Sequence, residues 1–207
     1  MTSFATLPVD PFRLSFDSTA GSVDPAGPVL ARRISDLEAV FADTAAWRRQ
    51  LENGNPVVYT IASSPVPEIS RELPQSITTI YPGDCGGEFY MTKGHQHPDP
   101  QAEIYLGLTG VGGLLLFDGE RPRWIDMEPG VIGYIPPGWA HRSVNVGNEP
   151  YRFLAVYPGG AGHDYRWVLE RGMGLRALST PGGYALTPFR RPDLAAGALT
   201  GRRIRER

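Results

Sequence analysis

The sequence predicts an all-β fold, a sandwich or closed barrel of short antiparallel strands, with an extended N-terminal arm and one early helix. Three observations lead there. From Pro56 to about residue 157 the chain alternates short apolar runs with turn residues, at a spacing too tight for helices. Gly (25) and Pro (20) are abundant and fall between those runs rather than inside them. Helix signals cluster in one stretch before Pro56.

Residues 1–33, rich in Pro, Ser, Asp and Gly, are expected to form an arm lying on the barrel or on a partner subunit. Ser35 and Glu38 stand at capping-box spacing and predict a helix running to about Glu52. Leu37, Phe41, Trp47 and Leu51 would give it one apolar face, and Asn53-Gly54 a stop. Strands are then expected over 56–63, 76–81, 88–93, 103–108, 112–117, 122–127, 131–135, 141–146 and 151–157. Periodicity leaves 163–172 open between helix and strand, and one or two weak strands follow Gly174. The domain plan is thus an arm and helix over 1–55, a barrel over 56–187, and an Arg-rich tail over 188–207.

A formal net charge of −2 gives no reason to expect nucleic acid or an anionic membrane as partner. Cys85 is the single cysteine, so no intrachain disulfide is available, as suits a reducing compartment. With no long apolar run and no signal-like N-terminal pattern, the expectation is a cytoplasmic protein without a membrane span.

The chemistry concentrates between Glu88 and Gly110. The chain holds four histidines, and His95 and His97 are separated by a single residue. On a strand they emerge on one face. A turn at Pro98, Asp99 and Pro100 should return the chain as a hairpin, so that Glu103 meets both imidazoles. Imidazole with carboxylate suits Mn, Fe, Ni or Zn better than Mg or Ca. Of the 20 basic residues only Lys93 is a lysine, and it stands beside this pair.

Two patterns extend the set. Gly130, Pro136, Gly138, His141 and Asn145 match the second motif of the cupin superfamily at each fixed position. His95, His97, Glu103 and Gly110 match the first, with a longer gap before Glu103 and Phe89 in place of a glycine. The strings GEFYMTKGHQH, EIYLGLTGVGGLLL, PPGWAHRSVNVGNEP and YPGGAGHDY together resemble the cupin-type glucose-6-phosphate isomerases, over about residues 56–172. The chain departs from that pattern at Gly159-Gly160, where the family shows Ala-Asp.

The resemblance implies a cupin-type jelly-roll barrel holding one divalent transition metal per chain (Fe, Mn, Ni or Zn) through His95, His97, Glu103 and His141. It implies a sugar-phosphate substrate, with the phosphate near Tyr59, Thr78, Thr92 and Gly94 and the sugar near Tyr105, His163 and Tyr165. Lys93 could add positive charge, and Asn145 and Tyr105 are candidates to support the ligands. Strand parity would put Thr92 and Gly94 on the face opposite the histidines unless the chain bulges near Gly94. Family habit and the arm imply a homodimer.

Aldose–ketose interconversion moves hydrogen between C1 and C2. Either Glu103 removes the C2 proton, giving a cis-enediol, or a hydride passes directly and no base is needed. Two other readings use the same ligands: an oxidative cupin (dioxygenase or decarboxylase) and a non-catalytic sugar-phosphate binder. An isomerase or epimerase of another sugar phosphate is a near neighbour of the first.

Overall fold

The computed structural model describes residues 10–189. The first elements of the described residues are a small hairpin, β1 (Ser15–Asp17) and β2 (Ser22–Asp24), followed by β3 (Val29–Arg33). A short 3-10 turn at Ile34–Leu37 leads to α1 (Thr44–Glu52). The strands β4 (Val57–Ser63), β5 (Gln75–Ile80), β6 (Asp84–Cys85) and β7 (Glu88–Phe89) come next. They are followed by β8 (Glu103–Thr109), β9 (Gly112–Phe117), β10 (Pro122–Met127), β11 (Ile132–Ile135), β12 (Ala140–Asn145) and β13 (Tyr151–Val156). Then α2 (Tyr165–Arg171) precedes the hairpin of β14 (Leu175–Thr180) and β15 (Gly183–Pro188).

A six-stranded sheet, ordered β11-β8-β13-β5-β4-β3, faces a three-stranded sheet, β10-β9-β12. A third sheet, β15-β14-β7-β6, adjoins them. Every strand pairing among the described residues is antiparallel, as the jelly-roll expectation requires. Between the two facing sheets, Tyr59, Ile80, Tyr105 and Phe153 meet Leu114, Leu116, Met127 and Val144 in one buried cluster. Removing such apolar surface from water is the main favourable term in the fold. Among the described residues no helix is long and apolar enough to cross a membrane.

Three local expectations are corrected. The predicted helix over 35–52 is two pieces. Ala39 takes a left-handed φ of 63°, which ends the first turn, and Asp43 caps α1 by accepting from the Ala46 N–H at 2.8 Å. The Ser35–Glu38 pattern caps nothing; Asp36 accepts from the Arg33 N–H instead. The strand expected over 88–93 stops at Phe89, and single bridges then tie Met91 to Val144 and His95 to His141. The hairpin between the two-histidine segment and Glu103 is absent. Strand β8 pairs with β11 and β13, while the histidine segment runs along β12. Residues 163–172, left open by periodicity, contain α2, capped by Asp164 accepting from Trp167 N–H at 3.1 Å. The Arg-rich tail lies outside the described residues from position 190 onward.

A buried ion pair braces the third sheet against the segment between the 3-10 turn and α1. Arg176 on β14 donates to both oxygens of Glu88 on β7 and to the Val40 carbonyl at 3.2 Å. Glu88 also accepts from the Ala42 N–H at 2.9 Å. Both side chains are almost fully shielded from solvent, so removing either partner would leave the other charge buried and uncompensated.

Candidate metal centre and adjoining cavity

His95 and His141 exchange backbone hydrogen bonds, His95 N–H to the His141 carbonyl at 3.1 Å and the reverse at 2.9 Å. This pairing stands where the hairpin was expected, and it brings the two rings to 4.2 Å between centroids. Glu103, the first residue of β8, enters from the opposite sheet beside Ile135 of β11. The one-residue spacing of His95 and His97 still puts their rings 4.9 Å apart.

One ligand atom from each of His95, His97, Glu103 and His141 lies within 4.8 Å of the others. Glu103 Oε1 is 3.3 Å from His97 Nε2 and 2.5 Å from His141 Nε2. These approaches lack hydrogen-bond geometry, so the three Nε2 atoms and Oε1 are all buried without a hydrogen-bond partner. Four orphaned polar atoms aimed at one point would be costly in a finished core and are the donor set of a divalent cation. The residues therefore fit the implied metal.

The supports of those ligands differ from the ones expected. His97 Nδ1 lies 2.6 Å from the Gly162 carbonyl, which makes Nδ1 the N–H and turns the Nε2 lone pair toward the centre. His141 Nδ1 lies 3.3 Å from the Trp139 carbonyl. Asn145 does not serve the centre: its amide donates to the Ile80 and Glu149 carbonyls at 2.9 Å, stapling the turn after β12. Tyr105 packs its ring edge-on to His141, 5.8 Å between centroids.

Burial, and after it the neighbouring imidazoles, drives the pKa of His95 well below its ordinary value. Burial would lower His97 too, but Glu103 beside it reverses the sign and raises it. Burial would likewise raise Glu103; His141 and His97 overcome that and hold its carboxyl down at about 2.

The centre opens into a cavity of about 300 Å³. Its wall includes the expected Tyr59, Thr78, Thr92, Gly94, Tyr105, His163 and Tyr165, with the ligands His95, Glu103 and His141. Lys93 is not a wall residue; its ammonium lies 5.4 Å from the centre of the Tyr165 ring. Gly94 resolves the parity problem. Its φ of 75° turns the chain so that Thr92, Gly94 and His95 all reach the cavity. Thr92 Oγ1 accepts from the Ser143 N–H at 3.0 Å, which leaves its own proton to donate. His163 stacks parallel to Tyr165 at 6.1 Å and lies 4.4 Å from His95, ring centre to ring centre.

Sequence reasoning missed Glu68, Tyr157, Ser76 and Phe153, which also line the cavity. Tyr157 and Phe153 carry a strand signal and nothing more. Glu68 sits in a loop with no motif at all.

Comparison with known proteins agrees with this geometry. Residues 31–186 match the family model described as Glucose-6-phosphate isomerase (GPI). The glucose-6-phosphate isomerase of Thermococcus litoralis is 44% identical over 165 residues, 79% of this chain and 86% of that protein. That of Sinorhizobium medicae is 35% identical over 166 residues, 79% of this chain and 78% of that protein. Among solved structures, a variant of Bacillus subtilis oxalate decarboxylase overlaps 53% of this chain and 29% of its own, at 19% identity and a TM-score of 0.43, and adds nothing further. On the strength of a family model spanning residues 31–186, and of relatives matched over about four fifths of their length or more, the chain belongs to the glucose-6-phosphate isomerase family.

Proposed function

We propose that this chain interconverts glucose 6-phosphate and fructose 6-phosphate, with one divalent Mn, Fe, Ni or Zn ion held by His95, His97, Glu103 and His141. The observation that carries the reading is the convergence of four ligand atoms within 4.8 Å at the wall of a hydroxyl-lined cavity. When bound, such an ion supplies Lewis acidity to the substrate oxygens at C1 and C2.

The chain's own residues do the rest. Thr78, Thr92 and Tyr59 offer hydroxyl donors to a phosphate, and Gly94 lets an anion approach the backbone. Lys93 adds positive charge from beside Tyr165. Tyr105, His163 and Tyr165 pack against the sugar. Burial lowers the pKa of His163, so its ring stays neutral and can accept at one nitrogen while donating at the other, as ring opening and the exchange of hydroxyl protons require. Glu103, held ionised by His141 and His97, serves as a ligand. We read the C2 hydrogen as passing directly to C1, the route that needs no base and leaves this carboxylate to the metal.

The oxidative and purely binding alternatives are not favoured, because family and lining both point to a sugar phosphate. We also read the chain as a cytoplasmic homodimer whose barrel, residues 56–187, carries the site, while the described residues before it, 10–55, buttress it and add β3 to its larger sheet. Strand β3 ends the six-stranded sheet with Val29 71% and Leu30 39% exposed, an edge suited to a second copy.

The test is a coupled assay for glucose 6-phosphate formed from fructose 6-phosphate. Chelated protein should be inactive, and adding back Mn, Fe, Ni or Zn should restore turnover. Absence of turnover with each of these ions would overturn the reading.

A further inference from the structure

Between Ser64 and Gln75 the chain leaves the six-stranded sheet and returns to it, its ends joined by Ser64 N–H donating to the Gln75 carbonyl at 2.8 Å. This loop rests on Gly159 and Gly160, where the sequence departs from the Ala-Asp of the family's motif. A Cβ at Gly159 would stand 2.6 Å from the Ile69 carbonyl oxygen, 2.8 Å from Ile69 N and 3.1 Å from the Pro67 oxygen. One at Gly160 would stand 2.8 Å from Ser70 Cα. Gly159 is not among the glycines with positive φ, so what it supplies is space for the loop. The loop also accepts the Gly159 N–H on the Glu72 carbonyl at 3.0 Å.

The atoms pressed against Gly159 belong to the residues on either side of Glu68. Glu68 is a wall residue of the cavity, with Oε1 accepting from the Tyr157 hydroxyl at 2.7 Å and Oε2 4.0 Å from His163 Nδ1. Tyr157 and His163 pack ring to ring at 5.9 Å. One carboxylate therefore reaches both groups at the sugar end of the cavity.

We propose that Glu68 is a positioning and specificity residue of this chain: seated by Gly159-Gly160, its carboxylate orients the Tyr157 hydroxyl and the His163 ring toward the sugar. The proposal rests on the sugar-phosphate reading above. It requires that the sugar end and the phosphate end of the cavity respond differently to loss of Glu68.

The test uses calorimetric binding to the metal-loaded protein, with fructose 6-phosphate and inorganic phosphate as separate probes. Glu68→Ala should weaken fructose 6-phosphate about tenfold, the scale of one hydrogen bond to a charged group. Inorganic phosphate should bind within about twofold of wild type. Tyr157→Phe should weaken the sugar phosphate too, and the double variant should lose little more than either single change, since both break one bond. Gly159→Ala should reproduce Glu68→Ala, with no added loss when the two are combined. Melting temperatures identify any variant that fails to fold, and Glu68→Ala changes a half-exposed loop position that the core does not need.

Unchanged fructose 6-phosphate affinity in Glu68→Ala would refute the proposal. So would equal losses for both probes, or additive losses in the double variant. Wild-type turnover measured on the same preparation separates the two readings. Absent turnover with Glu68-dependent binding sinks the isomerase reading alone, and turnover indifferent to Glu68 sinks this one alone. Failure of wild type to bind fructose 6-phosphate sinks both.

Discussion

Replacing Gly94 by alanine should damage the metal centre more than its distance from the ligand atoms suggests. The backbone at Gly94 has φ 75°, a conformation that costs an L-residue about 1–2 kcal/mol. The new Cβ would also stand 3.0 Å from the His141 carbonyl oxygen and 3.1 Å from Arg142 Cβ. That carbonyl accepts the His95 N–H at 3.1 Å, so relief of the clash strains the bond pairing two proposed ligands. Losing one such bond adds about 1 kcal/mol. The sum is about 2–3 kcal/mol, or a fall in Tm of roughly 4–12 °C for a chain of this size. Gly130→Ala is the control: its φ is 89° with nothing within 4 Å of the added Cβ, so it bears only the conformational term. Differential scanning calorimetry and metal content per chain would be measured on both. Gly94→Ala should melt below Gly130→Ala, hold less metal, and lose about 100-fold in kcat/KM if His95 shifts by about 1 Å. Equal Tm and equal metal content in the two variants would refute the claim that Gly94 positions the centre.

Three further outcomes follow from the geometry. Glucose 6-phosphate carrying deuterium at C2 should give fructose 6-phosphate with the label retained at C1; washout into solvent would return the step to a base, and its loss in Glu103→Gln would name that base. Because Glu103 raises the pKa of His97, the metal-free centre takes up a proton on His97 above the ordinary imidazole value. That proton must leave on binding, so apparent metal affinity should fall about tenfold per pH unit as pH drops below the raised pKa. Stability of the metal-free protein moves the other way: the His97 contribution is complete below about pH 6.5 and fades as pH rises through its folded pKa. Metal affinity and the Tm of the metal-free protein, each measured between pH 5 and 8, check the two signs. Arg176→Met leaves the Glu88 carboxylate buried without its partner and should cost about 3–5 kcal/mol, roughly 6–20 °C in Tm. Glu88→Leu combined with Arg176→Met should recover most of that, and a double variant as unstable as the single one would contradict the ion-pair account.

What the linear chain determined by itself was local. The strands after Pro56 are written in alternating runs and turn residues, and a period of two obliges His95 and His97 to share a side. The ligand types follow from composition, since three of the chain's four histidines fall in two motifs whose spacing is set by short turns. Pairing partners are a different matter. Which strand lies beside the two-histidine segment depends on how whole sheets bury their faces, and tertiary packing chose β12 over the nearer β8. The break in the early helix turned on one left-handed residue, Ala39, whose type carries no such signal. The tautomer of His97 depends on a carbonyl 65 residues away, at Gly162, and the Glu68–Tyr157 bond spans 89 residues. Such contacts are selected by the free energy of the assembled core, where an orphaned polar atom must find a partner wherever the fold happens to supply one.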